Sequence, residues 1–203
     1  MTSDVGLQQA KSIRAREAMC DATIDSLVQV GYSETSLNRV ANAAGFSKGA
    51  LQHHFPSKED LISATLDRLL ERTFQHHPRH SRVDSVEDSL MIAWTRYINT
   101  PPYRALIEIL NAARTDRQLQ KRISGELIAW GKRIDRQSLD TYESLNRDDD
   151  EVVMLLNMTR SFMRGLLLQE QYGVSQEKTL QYVKKWIELI SPLLELKGEK
   201  KKG

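Results

Sequence analysis

The segment Thr35 to Leu61, TSLNRVANAAGFSKGALQHHFPSKEDL, constrains the fold more than any other stretch, because it carries a stop or a start at every junction. Thr35 or Ser36 offers a hydroxyl to the first orphan amides of a helix that turns Leu37, Val40, Ala41 and Ala44 inward. Gly45 ends that helix, since the residue just past a helix end often takes a left-handed backbone that glycine adopts without a Cβ clash. Ser47 then caps the next helix. That second helix runs from Lys48 to about His54 and buries Leu51 and Phe55, while the small Ala41 and Ala44 let the pair approach closely. Pro56 disfavours α geometry at Phe55, and Ser57 with Asp60 three residues on marks a third start. Two short helices joined by a glycine turn, with a third following, read as a helix-turn-helix and point to DNA.

These residues, together with the Gly31-Tyr32 entry, the Ala44-Gly45 turn and the Phe55 to Lys58 exit, resemble the DNA-binding signature of the TetR family of bacterial transcriptional regulators. The resemblance covers roughly the first third of the chain and is specific, because many unlike residue types agree at fixed spacing. It implies that the amino-terminal helices bind operator DNA while a variable all-helical remainder forms a homodimer and holds an inducer.

Length and composition are compatible with that division. A chain of 203 residues with 40% apolar content can bury a core as one compact unit or as two small domains sharing a helix. Five prolines and ten glycines punctuate it, alternating β-branched runs are few, and the expected class is all-α with about nine helices. Cys20 is the single cysteine, which excludes an intramolecular disulfide framework and favours a reducing compartment; it reads as a small buried residue or as a redox sensor. No apolar run of about 18 residues and no charged-then-apolar leader occurs, so a cytoplasmic protein without a membrane span is expected.

The net charge of +2 from 29 basic and 27 acidic residues says little. Its distribution says more: from Thr35 to Lys58 there are three basic residues, Arg39, Lys48 and Lys58, and no acidic one. Phosphate neutralisation supplies much of DNA affinity, so this modest local charge suggests that two copies act together. Ser36 and Lys58 are placed for phosphate contacts. Lys48, Gly49 and Asn38 sit where base edges or the groove floor would be reached. Gln52, His53 and His54 form the next exposed turn, able to donate to phosphates or, for Gln52, to an adenine edge; for the histidines the alternative is a merely solvated helix end. The family usually has a tyrosine at the position of Gln52, where it contacts phosphate; the shorter amide moves that contact toward His53.

The remaining elements follow from periodicity. Helix 1 should run from about Gln8 to Val30 with Ile13, Ala22, Ile24, Leu27 and Val28 inward, and Lys11, Arg14 and Arg16 form a groove or phosphate rim or an exposed face. Helix 4, from Lys58 to about Gln75, carries Leu61, Ile62, Leu66, Leu69 and Leu70 and links a DNA-binding domain of residues 1–58 to an effector-binding and dimerisation domain of residues 59–203. A loop around Pro78 precedes helix 5, capped by Ser85 and running to Asn99. Zinc there would need a fourth ligand beside His76, His77 and His80, and Pro78 spoils their helical spacing, so a polar loop and no metal site is expected. Pro101 and Pro102 open helix 6. Helix 7 runs from Asp116 to about Leu145, helix 8 follows the Asn146 to Asp150 acidic knot, and helix 9 begins near Ser175 with the seam Leu180, Val183, Ile187, Ile190 and Leu194. The tail after Gly198 reads as a solvated end.

Within the second domain an apolar effector could be enclosed by Met91, Trp94, Ile107, Trp130, Ile134 and Phe162, with Tyr97, Tyr103 and Asn111 as polar handles, or these residues are ordinary core. Arg160 and Arg164, one turn apart, could clamp a carboxylate or form ion pairs, and Gly165 between them would allow close helix contact. The last two helices pair with their symmetry mates, as the family does. No CxxC pair, GxGxxG, Walker loop or HExxH occurs, so neither an enzyme nor a cofactor is expected. The combined expectation is a homodimeric, ligand-responsive regulator, most often a repressor in this family, on a palindromic double-stranded operator. The alternative is a helical DNA-binding protein with no small-molecule effector, constitutive or architectural.

Overall fold

The computed structural model describes residues 2–75 and 83–197. Among them run α1 (Thr2–Glu34), α2 (Leu37–Ala43), α3 (Lys48–His54), α4 (Lys58–Gln75), α5 (Val86–Ile92), α6 (Pro101–Ala113), α7 (Arg117–Thr141), α8 (Asp149–Gln169) and α9 (Gln176–Ile190). The class is all-α, an amino-terminal helix-turn-helix followed by a larger helical region. One short antiparallel ladder, β1 (Tyr142–Ser144) against β2 (Leu194–Leu196), was not anticipated. The expected His76, His77 and His80 loop and the Gly198 tail lie outside the described residues. No helix among the described residues is long and apolar enough to cross a membrane. The chain packs as two compact units, residues 2–75 with 101–127 and residues 83–100 with 128–197.

In the first unit, Met19, Cys20 and Ala22 of α1, Val40 and Ala41 of α2, Leu51 of α3, Phe55 and Leu61 form one buried cluster, with Leu37, Ala44, Phe46 and Ala64 packed against it. Helices of seven residues such as α2 and α3 do not hold themselves in water, so this shared burial is what orders them. Cys20 is buried and its thiol is pushed up by that burial. α4 turns Leu61, Ile62, Leu66, Leu69 and Leu70 into the interior as its periodicity predicts. α1 packs against α2, α4 and α6.

α1 starts earlier than expected and continues to Glu34, but Gly31 breaks its helical geometry with φ 74° and ψ 178°. Two of its anticipated inward residues are exposed. Ile13, 59% exposed, precedes the packed stretch that begins at Met19, and Val28, 38% exposed, lies about 100° round the helix from buried Leu27.

In the second unit, Ser85 caps α5 by accepting from the Asp88 amide at 3.0 Å. The helix then widens into a π-helical turn, Ala93–Ile98, with the Asn99 amide donating to the Trp94 carbonyl at 2.7 Å, so the regular helix expected to Asn99 is interrupted. α7 stops at Thr141 rather than Leu145. Buried Tyr142 and Ser144 take extended geometry because Leu196 and Leu194 pair with them. Leu194, expected on the α9 seam, is thus a strand residue, and the seam ends near Pro192, whose missing amide cannot continue the α9 ladder. Val183, Ile187 and Ile190 keep the buried seam, whereas Leu180 is 37% exposed. α8 buries Val152, Leu155, Leu156, Met163, Leu166 and Leu167, with Val153 and Phe162 half-buried on the same helix. A Cβ at Gly165 would meet nothing within 4 Å, so the anticipated close helix contact there is not made among the described residues.

Candidate nucleic-acid interface

The turn between α2 and α3 is built by backbone hydrogen bonds. Phe46 N–H donates to the Ala41 carbonyl at 2.9 Å and Gly45 N–H to the Asn42 carbonyl at 3.2 Å, the paired closure of a Schellman motif. Gly45 sits at φ 74°, where a side chain would be strained. Ser36 caps α2 by accepting from the Arg39 amide at 3.3 Å, and Ser47 caps α3 by accepting from the Ala50 amide at 3.1 Å. Thr35, the other candidate cap, is buried and donates to the Gly31 carbonyl at 2.8 Å instead.

Leu51 and Phe55 anchor one face of α3 in the core, which turns Lys48, Gly49, Gln52 and His53 outward, with His54 half-buried. Ser36 and Asn38 are exposed at the start of α2. A Cβ at Gly49 would meet only the Ser47 hydroxyl at 4.0 Å, so the outer face of the turn is open. Six of the eight residues expected at DNA are therefore exposed on the exterior of one head, and His54 is half-buried beside them. His54 loses basicity through burial, with the His53 ring beside it and the Arg16 charge adding to the effect.

Lys58 is also half-buried, and in the free protein its cation is engaged within the fold. Its Nζ donates to the Tyr32 carbonyl at 2.6 Å and lies 4.0 Å over the Tyr32 ring, partly buried. Burial lowers its pKa, opposed by Glu59, Asp116 and Glu34. The cation is engaged in joining the end of α1 to the start of α4. Ser57 and Asp60 complete a reciprocal capping box at that start, the Asp60 amide donating to Ser57 Oγ and the Ser57 amide to Asp60 Oδ2, each at 3.1 Å.

Several functional neighbours were invisible in the sequence. Tyr32 N–H donates to Glu108 Oε2 of α6 at 3.4 Å, and its hydroxyl donates to Asp116 at 3.3 Å. Burial, then Asp116, pushes that phenol up to about 12. Arg122 of α7 pairs with Asp60. Arg68 of α4 grips Asp21 of α1 through two nitrogens, at 2.8 and 2.9 Å, and Arg72 adds a bond at 2.6 Å. Arg16, expected on a rim, donates to the His54 carbonyl at 2.9 Å. Gly31 hinted at an unusual backbone, but no local pattern announces which carboxylate or carbonyl will arrive from a distant helix.

The effector candidates divide between the units. Tyr103, Ile107 and Asn111 lie in the first; Met91, Trp94, Tyr97, Trp130, Ile134 and Phe162 lie in the second. Ile107 and Trp94 are buried, Asn111 is exposed, and the others are half-buried. Phe162 stacks on Trp186 at 4.7 Å, whose indole donates to Thr159 at 3.1 Å. The Trp130 indole N–H is buried with no hydrogen-bond partner among the described residues. Arg160 takes the ion-pair alternative, meeting Asp135 at 3.1 Å and Asn157 at 2.9 Å.

Comparison with known proteins places this geometry. Residues 20–65 match the family described as "Bacterial regulatory proteins, tetR family". Over 175 residues the chain is 28% identical to an uncharacterized HTH-type transcriptional regulator of Mycobacterium tuberculosis, covering 81% of this chain and 89% of the relative. It is 23% identical over 160 residues to the Escherichia coli K12 protein named "Probable acrEF/envCD operon repressor", covering 73% of each. The crystal structure of a transcriptional regulator from Saccharomonospora viridis in complex with choline shares the fold with a TM-score of 0.65 at 17% identity, over 90% of this chain and 98% of that one.

Proposed function

Since the chain belongs to the TetR family of bacterial regulatory proteins, we propose that it is a homodimeric, ligand-responsive repressor that binds a palindromic operator with one α3 in each major groove. The observation that carries this reading is the outward row Lys48, Gly49, Gln52 and His53 on a helix whose opposite face is pinned by buried Leu51 and Phe55. A rigid helix with an open, cation-bearing face is what groove readout needs. Ser36 at the start of α2 supplies a positioning contact to a phosphate, and Asn38 beside it reaches toward base edges or the groove floor. The E. coli relative's name supports the repressor assignment.

Dimerisation is supported by exposed apolar side chains on the last two helices. Met154, Met158 and Leu168 of α8 and Leu180, Tyr182 and Leu189 of α9 all show 37–57% exposure, a cost in water that a second copy would remove. The effector reading rests on the half-buried aromatic candidates, on the unpartnered Trp130 indole N–H, and on the choline complex of the Saccharomonospora structure. A ligand in this region would act through α4, moving the heads off the spacing of about 34 Å that successive major grooves require. α6 offers a second handle, because Glu108 reaches the Tyr32 amide at the foot of the head.

Selection from a randomised duplex pool by the purified protein at near-physiological salt tests the proposal. An enriched inverted repeat is the expected result; weak, salt-sensitive binding with no enriched sequence overturns it. Compound screening by thermal shift in the presence and absence of that repeat then tests the effector arm.

A further inference from the structure

We propose that Arg16 is a positioning residue for DNA reading, a clamp that fixes the carboxy-terminal end of α3, and not a phosphate contact. This rests on α3 being the reading helix. Arg16 lies on α1, 38 residues from its partner, and donates through a terminal guanidinium nitrogen to the His54 carbonyl at 2.9 Å. The same guanidinium carbon stands 4.4 Å from the centre of the Phe55 ring. The two contacts fall on consecutive residues, the last of α3 and the one that follows it.

The need for such a clamp follows from the length of α3. Seven residues make fewer than two turns, and the last four carbonyls of any α-helix lack an intrahelical donor. Phe55 N–H satisfies the Leu51 carbonyl at 2.8 Å. Arg16 supplies the His54 carbonyl with a charged donor, and a cation at a helix carboxy-terminus is also favoured by the helix dipole. Phe55 is 1% exposed, so its ring is fixed and gives the guanidinium a rigid platform, with attraction between the cation and the ring face. A guanidinium can lay its plane on the ring while donating at its edge; a lysine side chain is shorter and its ammonium has no plane to stack, so it is not equivalent at this site. The result is a further tie on α3 at the end opposite Lys48, added to the core contact that Phe55 already makes. Core packing through Leu51 and Phe55 holds the helix by one face and leaves its carboxy-terminal end freer to fray. Exact placement of base-contacting side chains depends on removing that freedom, because hydrogen bonds to base edges tolerate little misalignment.

Two measurements separate this from a phosphate contact. The first uses the free protein: amide hydrogen exchange across α3 in wild type, Arg16→Gln and Arg16→Lys. Faster exchange at α3 with α4 unchanged is expected in both variants; wild-type exchange at α3 overturns the clamp, whatever happens on DNA. The second uses the selected operator and a non-specific duplex over a salt series. Expected for Arg16→Gln is a loss of about tenfold in operator affinity, an unaltered salt slope and unaltered non-specific binding, with Arg16→Lys failing to rescue. A phosphate contact predicts the opposite: operator and non-specific binding fall together, the salt slope drops by about one, and lysine restores most of the affinity. If wild type selects no operator, the proposed function fails, and the exchange measurement still decides the clamp.

Discussion

Lys58 Nζ stands 2.6 Å from the Tyr32 carbonyl oxygen and 4.0 Å above the same residue's ring. One cation thus serves both as hydrogen-bond donor and as partner to a π face, and it closes α4 onto the end of α1. A lysine at the start of the helix that follows a reading helix looks from sequence like a phosphate contact; in the free protein its neighbours hold it within the frame. Replacing it with methionine removes both interactions while keeping much of the stem. The expected cost is about 1–2 kcal/mol of stability, read as a lower urea midpoint, with the salt slope of operator binding unchanged. A slope reduced by about one would return Lys58 to the phosphate backbone.

Gly31 holds φ 74° and ψ 178°, a region nearly closed to other residues, and a Cβ there would sit 3.2 Å from Glu108 Oε2. Gly31→Ala is therefore expected to cost about 1–3 kcal/mol. A chain of this size should show that as a drop of several degrees in melting temperature, at roughly 2–4 °C per kcal/mol. The Glu108→Ala, Gly31→Ala double variant relieves the steric part only, so a full return to wild-type stability would contradict the backbone argument.

Asp21 is pulled in two directions: burial opposes its ionisation, but the bonds and charges of Arg68 and Arg72 outweigh burial and hold its carboxyl below the ordinary 3.8. A carboxyl whose folded value is depressed contributes stability that is fully present above 3.8 and is lost as pH falls through the lowered value. The side chain is 44% exposed, so solvent screening keeps the contribution modest, about 1 kcal/mol or less. Asp21→Asn should be less stable than wild type at neutral pH and converge with it in strong acid. Parallel stability curves across that acid range would count against the ion-pair brace.

Gly49 lies inside α3 with only the Ser47 hydroxyl near a would-be Cβ, at 4.0 Å. Alanine there should raise stability, by up to about 1 kcal/mol, because it is the better helix former. The same methyl group occupies space that close approach to a groove floor requires. Gly49→Ala is thus expected to melt higher and bind the selected operator more weakly. Stronger or unchanged binding would remove Gly49 from the contact surface.

Leu189 of α9 is 57% exposed and Met154 of α8 is 55% exposed. If the last two helices meet those of a second copy, Leu189→Asp places a charge in an apolar contact and should shift sedimentation equilibrium toward monomer while leaving far-ultraviolet circular dichroism intact. A variant that sediments as wild type would move the interface elsewhere.

The local sequence determined what neighbouring residues can settle among themselves. Gly45 with Ser47 specifies a left-handed stop and a capped start; Ser85 with Asp88 and Ser57 with Asp60 specify two more starts; and the apolar period of α4 specifies its buried face. Those signals act over three or four residues, within reach of a single helical turn, and so they were legible, as was the outward face of α3. Contacts between distant helices were not. Whether Lys58 reaches a phosphate or the Tyr32 carbonyl, and whether Arg16 lies free or caps α3, depends on which partner arrives from tens of residues away. The end of α7 was likewise decided at a distance: Tyr142 to Ser144 continue a helical pattern locally, but Leu194 to Leu196 supply strand partners, and backbone pairing with buried side chains outweighs local propensity. Tertiary structure chose among conformations and partners that the local chemistry leaves nearly equal in energy, because the interactions deciding them exist only once the helices have packed.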